Sequence, residues 1–169
     1  MSSIEHKRKL RRAVTIGIVT VSSSRSLEED KSGNWIKKMS EKEGHRVVLH
    51  KIVPDQKDAI YNIVKRALEL QKLDALIITG GTGISQSDVT IEAIKPMFTK
   101  ELTAFGPIFA QLSYEKIEAS AILSRATAGI VEKTIVFCLP GSIDACKLAC
   151  TVLIFPEISH IVGHVLGKA

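Results

Sequence analysis

Residues 74–94, DALIITGGTGISQSDVTIEAI, decide the fold class of this chain. Ala75, Leu76, Ile77 and Ile78 form a short apolar run, closed by a polar residue and by glycines. A run that brief, rich in β-branched side chains, suits a strand buried on both faces. Thr79-Gly80-Gly81-Thr82-Gly83 then breaks it. Glycines this dense cost backbone entropy that a plain turn does not require, and they permit positive φ and close approach of a ligand to main-chain N–H groups. Asp88-Val89-Thr90-Ile91-Glu92 reads as a helix start with acids in its first turn. Strand, glycine loop and helix N-terminus together make a natural anion site. The run fits neither common phosphate fingerprint: Gln86 stands where a dinucleotide loop has its third glycine, and Ile84-Ser85 follow where a P-loop has Lys-Ser or Lys-Thr. Taken alone, the run supports a capped flexible turn and a ligand loop equally.

Upstream, residues 14–21 read as a central strand, apolar on both parities. Ser22-Ser23-Ser24-Arg25-Ser26 follows at its C-terminal end, where open α/β sheets collect ligands. A solvated serine turn is an equal reading at this point. Asp30-Lys31-Ser32-Gly33 opens a helix carrying Trp35, Ile36 and Met39, and Gly44 stops it. Residues 46–53 are the second strand. Asp55 reads as the N-cap of the next helix, with Asp58 in support, and Ile60, Ile63, Val64, Ala67, Leu68 and Leu70 as its apolar face.

Downstream, Pro96 ends the helix begun at Asp88. Gly106-Pro107 opens another. Residues 126–131 and 134–139 read as a hairpin around Glu132-Lys133, and Pro140-Gly141-Ser142 closes it. A helix is expected over 143–154 and a separate one from Phe155 to Leu166, divided at Pro156. Alternating strands and helices predict an α/β fold, a three-layer sandwich with a mostly parallel, mixed sheet and helices on both faces. The hairpin predicts one antiparallel member, at an edge.

The chain has 169 residues, 45% hydrophobic and 24% charged, which fits one domain with a proper core. Residues 1–12 hold Lys7, Arg8, Lys9, Arg11 and Arg12 against Glu5, so +4 of the formal +5 lies there. The domain division is thus a basic flexible tail over 1–12 and a single domain over 13–169. The high pI belongs to a solvated terminus rather than to a nucleic-acid surface, and few aromatics are present for base stacking. No apolar run approaches a membrane span, and the polar N-terminus points to the cytoplasm. Cys138, Cys146 and Cys150 lack metal spacing and read as small buried side chains.

Several separated signatures now stand together: VSSSR at 21–25, DKSG at 30–33, IVPD at 52–55, TGGTG at 79–83, SDVT at 87–90, FG at 105–106, SRATAG at 124–129 and LPGS at 139–142. This set resembles the MoaB/MogA family of molybdenum-cofactor biosynthesis, closest to its MoaB members, and spans nearly everything after the basic tail. One departure is Ser23, where the family usually carries an acid. The resemblance implies a molybdopterin adenylyltransferase: ATP and the phosphate of molybdopterin give adenylyl-molybdopterin and pyrophosphate with a divalent cation, Mg2+. It implies homo-oligomers, trimer or hexamer. It matches Asp55 and Asp88 to the family's two functional aspartates, as catalytic and metal-holding residues. Gly80, Gly81, Thr82 and Gly83 are then the phosphate cradle, with hydroxyls from Thr79, Ser85 and Thr90. Gly141 and Ser142 form a second small loop near pterin or nucleotide, and Ser24 and Arg25 complete the pocket. A non-catalytic pterin scaffold and a CinA-like nucleotide pyrophosphatase are the competing readings.

Overall fold

The Ala75–Thr79 strand, buried at all five positions, sits inside a six-stranded sheet in the computed structural model, which describes residues 12–168. The sheet runs β2-β1-β3-β6-β5-β4, with β1 at Thr15–Val21, β2 at Arg46–Val53, β3 at Ala75–Thr79, β4 at Lys100–Glu101, β5 at Thr127–Val131 and β6 at Thr134–Leu139. β2, β1, β3 and β6 are mutually parallel. β5 alone runs against its neighbours. It lies one place in from the edge rather than at it, because the two-residue β4 pairs along its outer side.

Side-chain alternation along the strands divides the core into two layers. Ile16, Ile18, Ala75, Ile77, Ile135 and Phe137 face one way. They meet Ile36 of α1 (Lys31–Lys42), Phe105 and Phe109 of α4 (Phe105–Ile117), and Cys146, Ala149, Cys150, Ile154, Ile158 and Val162 of α5 (Ile143–Val165). Val19, Val21, Leu76, Ile78, Val136 and Cys138 face the other way. They meet Ile60, Val64 and Ala67 of α2 (Lys57–Leu70), and Ala93 and Ile94 of α3 (Thr90–Ile94). This is the expected three-layer sandwich. The five-residue α3 is far shorter than the roughly 12–15 residues an isolated helix needs, so burial of Ala93 and Ile94 holds it in place.

Local differences from the sequence reading have physical causes. Asp55 does not cap α2: the cap position is Gln56, without a side-chain bond, and the Asp55 carboxylate turns to Ser23 instead. Leu70, expected on the apolar face, is 66% exposed at the last turn. The helix expected from Asp88 begins only at Thr90, because Asp88 folds back on Ser85. Pro156 does not divide the C-terminal segment. The turns over Ala149–Ile154 widen to π geometry and give the proline ring room, so one helix of 23 residues runs through. That helix has the length and composition of a membrane span, which its two expected halves did not. Its buried stripe belongs to the sandwich core. Most of the basic tail lies outside the described residues; Arg12 pairs with Asp74 at 3.3 Å, and its carbonyl accepts from Ser159 Oγ at 2.9 Å.

Candidate functional site

The sheet order places β2 on one side of β1 and β3 on the other, so the connections diverge between β1 and β3. Such a switch point opens a crevice at the C-terminal strand ends. A cleft of about 370 Å³ occupies that place, lined by residues following β1, β2, β3 and β6. The loop after β3 forms one wall. Gly80 has φ +96°, and a Cβ there would run into the Val21 carbonyl, so the loop can cross the end of β1 only with glycine.

Four successive carbonyls of this loop are taken up by protein donors. Thr90 Oγ1 donates to Gly80 O at 2.7 Å and Thr90 N–H to Gly81 O at 2.9 Å. Arg125 Nε donates to Thr82 O at 2.9 Å and Gly83 O at 3.0 Å. A trans peptide holds its C=O and N–H in opposite directions. Bonding the carbonyls to their braces therefore turns the amides the other way, which is how a backbone cup for anions is built. Thr82 adds a buried hydroxyl with no hydrogen-bond partner among the described residues.

Asp88 and Asp55 both line the cleft, from different loops. The Asp88 carboxylate accepts from Ser85 Oγ at 2.6 Å and Ser85 N–H at 2.9 Å. The Ser85 hydroxyl holds its pKa below the ordinary carboxylate value; partial burial opposes this, while the Ser85 and Gly83 amides and the charge of Arg125 assist. Asp55 Oδ2 accepts from Ser23 Oγ at 2.8 Å, and Ser23 Oγ accepts the Asp55 N–H at 3.0 Å. Ser22 N–H donates to Val53 O at 2.8 Å, which carries the serine loop onto the end of β2.

The other expected site residues divide by position. Gly80, Gly81, Thr82, Gly83, Ser24, Arg25 and Gly141 line the cleft. Ser85 stands beside it, spent on Asp88. Thr79 is fully buried behind it, donating to Pro140 O at 2.9 Å and lying 3.1 Å from Cys146 Sγ. Thr90 is fully buried as the brace already described. The parity of Thr79 with Ala75 and Ile77 signals an inward side chain. Ser142 caps α5 through Ala145 N–H at 3.2 Å and lines a second hollow of about 270 Å³, which shares Arg25 and Gly141 with the cleft and adds Lys31. All three cysteines are free and buried, and burial pushes the Cys138 thiol up to about 12. Two residues with no assigned role in the sequence also belong here: Arg125 and its partner Glu92. No local signal links Arg125 to a loop some 42 positions away; only the SRATAG stretch marks it.

The cleft offers oxygen donors, amides and one guanidinium, a set suited to phosphate groups and a hard cation. Among the described residues no three His, Cys, Asp or Glu side chains gather as a metal cage. A cation here would rest on one or two carboxylates and on ligand oxygens.

Comparison with known proteins shows the family to which the chain belongs. A family profile described as "Probable molybdopterin binding domain" matches residues 17–160. Molybdenum cofactor biosynthesis protein B of Bacillus subtilis (strain 168) is 46% identical over 166 residues, covering 98% of each chain. A crystal structure of a molybdenum cofactor biosynthesis protein B, 39% identical, superposes with a TM-score of 0.90 over 92% of this chain and 98% of that one. The tungsten cofactor synthesizing protein MoaB from Pyrococcus furiosus, 38% identical, gives 0.83 over 94% and 99%.

Proposed function

The chain belongs to the MoaB/MogA family of molybdenum-cofactor biosynthesis proteins, and from that membership we propose that it transfers AMP from ATP to the terminal phosphate of molybdopterin. A phosphate oxygen of molybdopterin attacks the α-phosphorus of ATP, the bond to the bridging oxygen of the β-phosphate breaks, and pyrophosphate leaves with the electron pair. The observation that carries this reading is that Asp55 and Asp88, from separate loops, line one cleft together with the glycine loop.

Such a transfer needs alignment and charge neutralisation rather than a protein nucleophile. Two anionic substrates must meet, so unshielded charge is the main obstacle. The amides of Gly81 and Thr82 receive phosphate oxygens, while that of Gly83 faces the Asp88 carboxylate. Arg25, shared between the cleft and the hollow beside it, faces anions in either compartment. Asp55 and Asp88 are the residues that would hold magnesium, which would supply charge neutralisation for the phosphates. Thr79, Thr90 and Ser85 serve this site from behind, by fixing the two loops and the Asp88 carboxylate.

We also propose that the chain self-associates, and that it does so through the apolar surface at the end of α4 and the turn after it. Tyr114, Ile117 and Ile122 are exposed there, Ile122 at 83%, and the adjacent Leu123 reaches the cleft.

The test is product formation by purified protein given ATP, magnesium and molybdopterin. Pterin-dependent pyrophosphate release supports the proposal. Tight pterin binding without turnover would make the chain a scaffold, and pterin-independent hydrolysis of ATP would make it a pyrophosphatase.

A further inference from the structure

We infer that Arg125 is a positioning residue of the phosphate site, a role that rests on the adenylyl-transfer reading. Its side chain does not line the cleft; Ser124 and Leu123, just before it, do. The guanidinium instead lies behind the glycine loop and spends its donors in two directions. Nε bonds the carbonyls of Thr82 and Gly83 together. Nη1 and Nη2 take the two oxygens of Glu92 at 2.6 and 3.3 Å. Glu92 lies on α3, the helix whose Thr90 holds the other two loop carbonyls. Helix, arginine and loop thus form one clamp.

The peptide between Thr82 and Gly83 shows what the clamp does. Its carbonyl points at Arg125. Its amide, on the opposite side, faces the Asp88 carboxylate, which lies 2.7 Å from where a Cβ on Gly83 would stand. One peptide dipole is therefore held between a cation behind the loop and an anion in the cleft. Removing the cation frees two carbonyl oxygens to turn toward an incoming phosphate, which they would repel. Lysine cannot replace the arginine here, because the contact needs a fork that reaches two carbonyls and a carboxylate at once.

The loop holds phosphate in the ground state as well as in the transition state, so the expected defect is in affinity. Binding of ATP with magnesium is measured by calorimetry for the wild-type chain, Arg125→Lys, Arg125→Ala and Glu92→Gln, beside steady-state turnover. Both arginine variants are expected to bind about tenfold more weakly, with KM for ATP raised to match and kcat within about threefold. Glu92→Gln is expected to weaken binding about threefold, and it decides the matter if the arginine variants do not fold. Wild-type affinity in a folded Arg125→Ala, or in Glu92→Gln where the arginine variants fail, overturns the inference. So does full affinity in Arg125→Lys, which would make charge rather than the fork the agent. Failure of the wild-type chain itself to bind ATP with magnesium would instead remove the adenylyl-transfer reading.

Discussion

Ser23 and Asp55 bind each other twice: the serine hydroxyl donates to the Asp55 carboxylate at 2.8 Å and accepts the Asp55 N–H at 3.0 Å. The pairing fixes the direction of a carboxylate that lines the cleft, at the position where the family resemblance has an acid. Ser23→Asp would set two like charges side by side in the free protein, and a shared cation would relieve them. The variant is expected to melt below the wild-type chain in a chelating buffer and to recover in magnesium. A melting temperature indifferent to magnesium would show that no cation settles between these side chains.

Gly83 separates loop geometry from stability. Its φ is not in the left-handed region, so alanine costs little backbone strain, yet the added Cβ would meet Asp88 Oδ2 at 2.7 Å. Gly83→Ala is expected to keep its melting temperature within about 3 °C and to lose at least about tenfold in turnover as the carboxylate is displaced. Unchanged turnover would show that the position of Asp88 in the free protein is unimportant.

Asp30 is a stability prediction. It is fully buried, caps α1 through Gly33 N–H at 2.9 Å, and accepts from Thr20 Oγ1 at 2.6 Å and His50 Nε2 at 2.9 Å. Burial pushes its pKa up, but the His50, Thr20 and Gly33 bonds outweigh that and leave it below the ordinary 3.8. A depressed carboxylate contributes its full stability above the unfolded value and loses it as pH falls through the lower folded value. Asp30→Ala should therefore destabilise the chain by about 3 kcal/mol at neutral pH, a fall of roughly 6–12 °C in Tm. The gap between variant and wild type should narrow only below pH 3.8. A gap that closes between pH 5 and 7 would contradict the assignment of that stability to the Asp30 carboxylate.

The proposed self-association surface gives a fourth expectation. Ile122→Glu places a charge on a side chain that is 83% exposed, so it should leave the fold intact. Sedimentation is expected to show the assembly reduced to monomers. Retention of the wild-type mass would move the contact elsewhere.

The residues that specified the layers were legible because their pattern is periodic: apolar pairs on both parities gave β1 and β3, and the Glu132-Lys133 turn gave the hairpin. β5 escaped its expected edge position because the two residues of β4 carry no strand signal. Pro156 misled because the widened turns that accommodate it are set by packing of Cys150, Ile154 and Ile158 on the sheet. Within the site, the residues alone read Asp55 as a helix cap, and only the family resemblance paired it with Asp88 beside the glycines. The hydroxyls could not be sorted so simply: Thr82, Thr90 and Ser85 look alike in sequence, and only tertiary contacts make one a cleft wall, one a brace and one a partner of Asp88. Arg125 is the furthest from legible, since its bonds reach back across 42 and 43 positions.

The most direct measurement is turnover of purified wild-type and Asp88→Ala protein with ATP, magnesium and molybdopterin, following adenylyl-molybdopterin and pyrophosphate together. Both products are expected in equal amounts from the wild type, with a loss of at least about a hundredfold in a variant that still melts cooperatively. Undiminished turnover by Asp88→Ala, or pyrophosphate released without pterin, would contradict it.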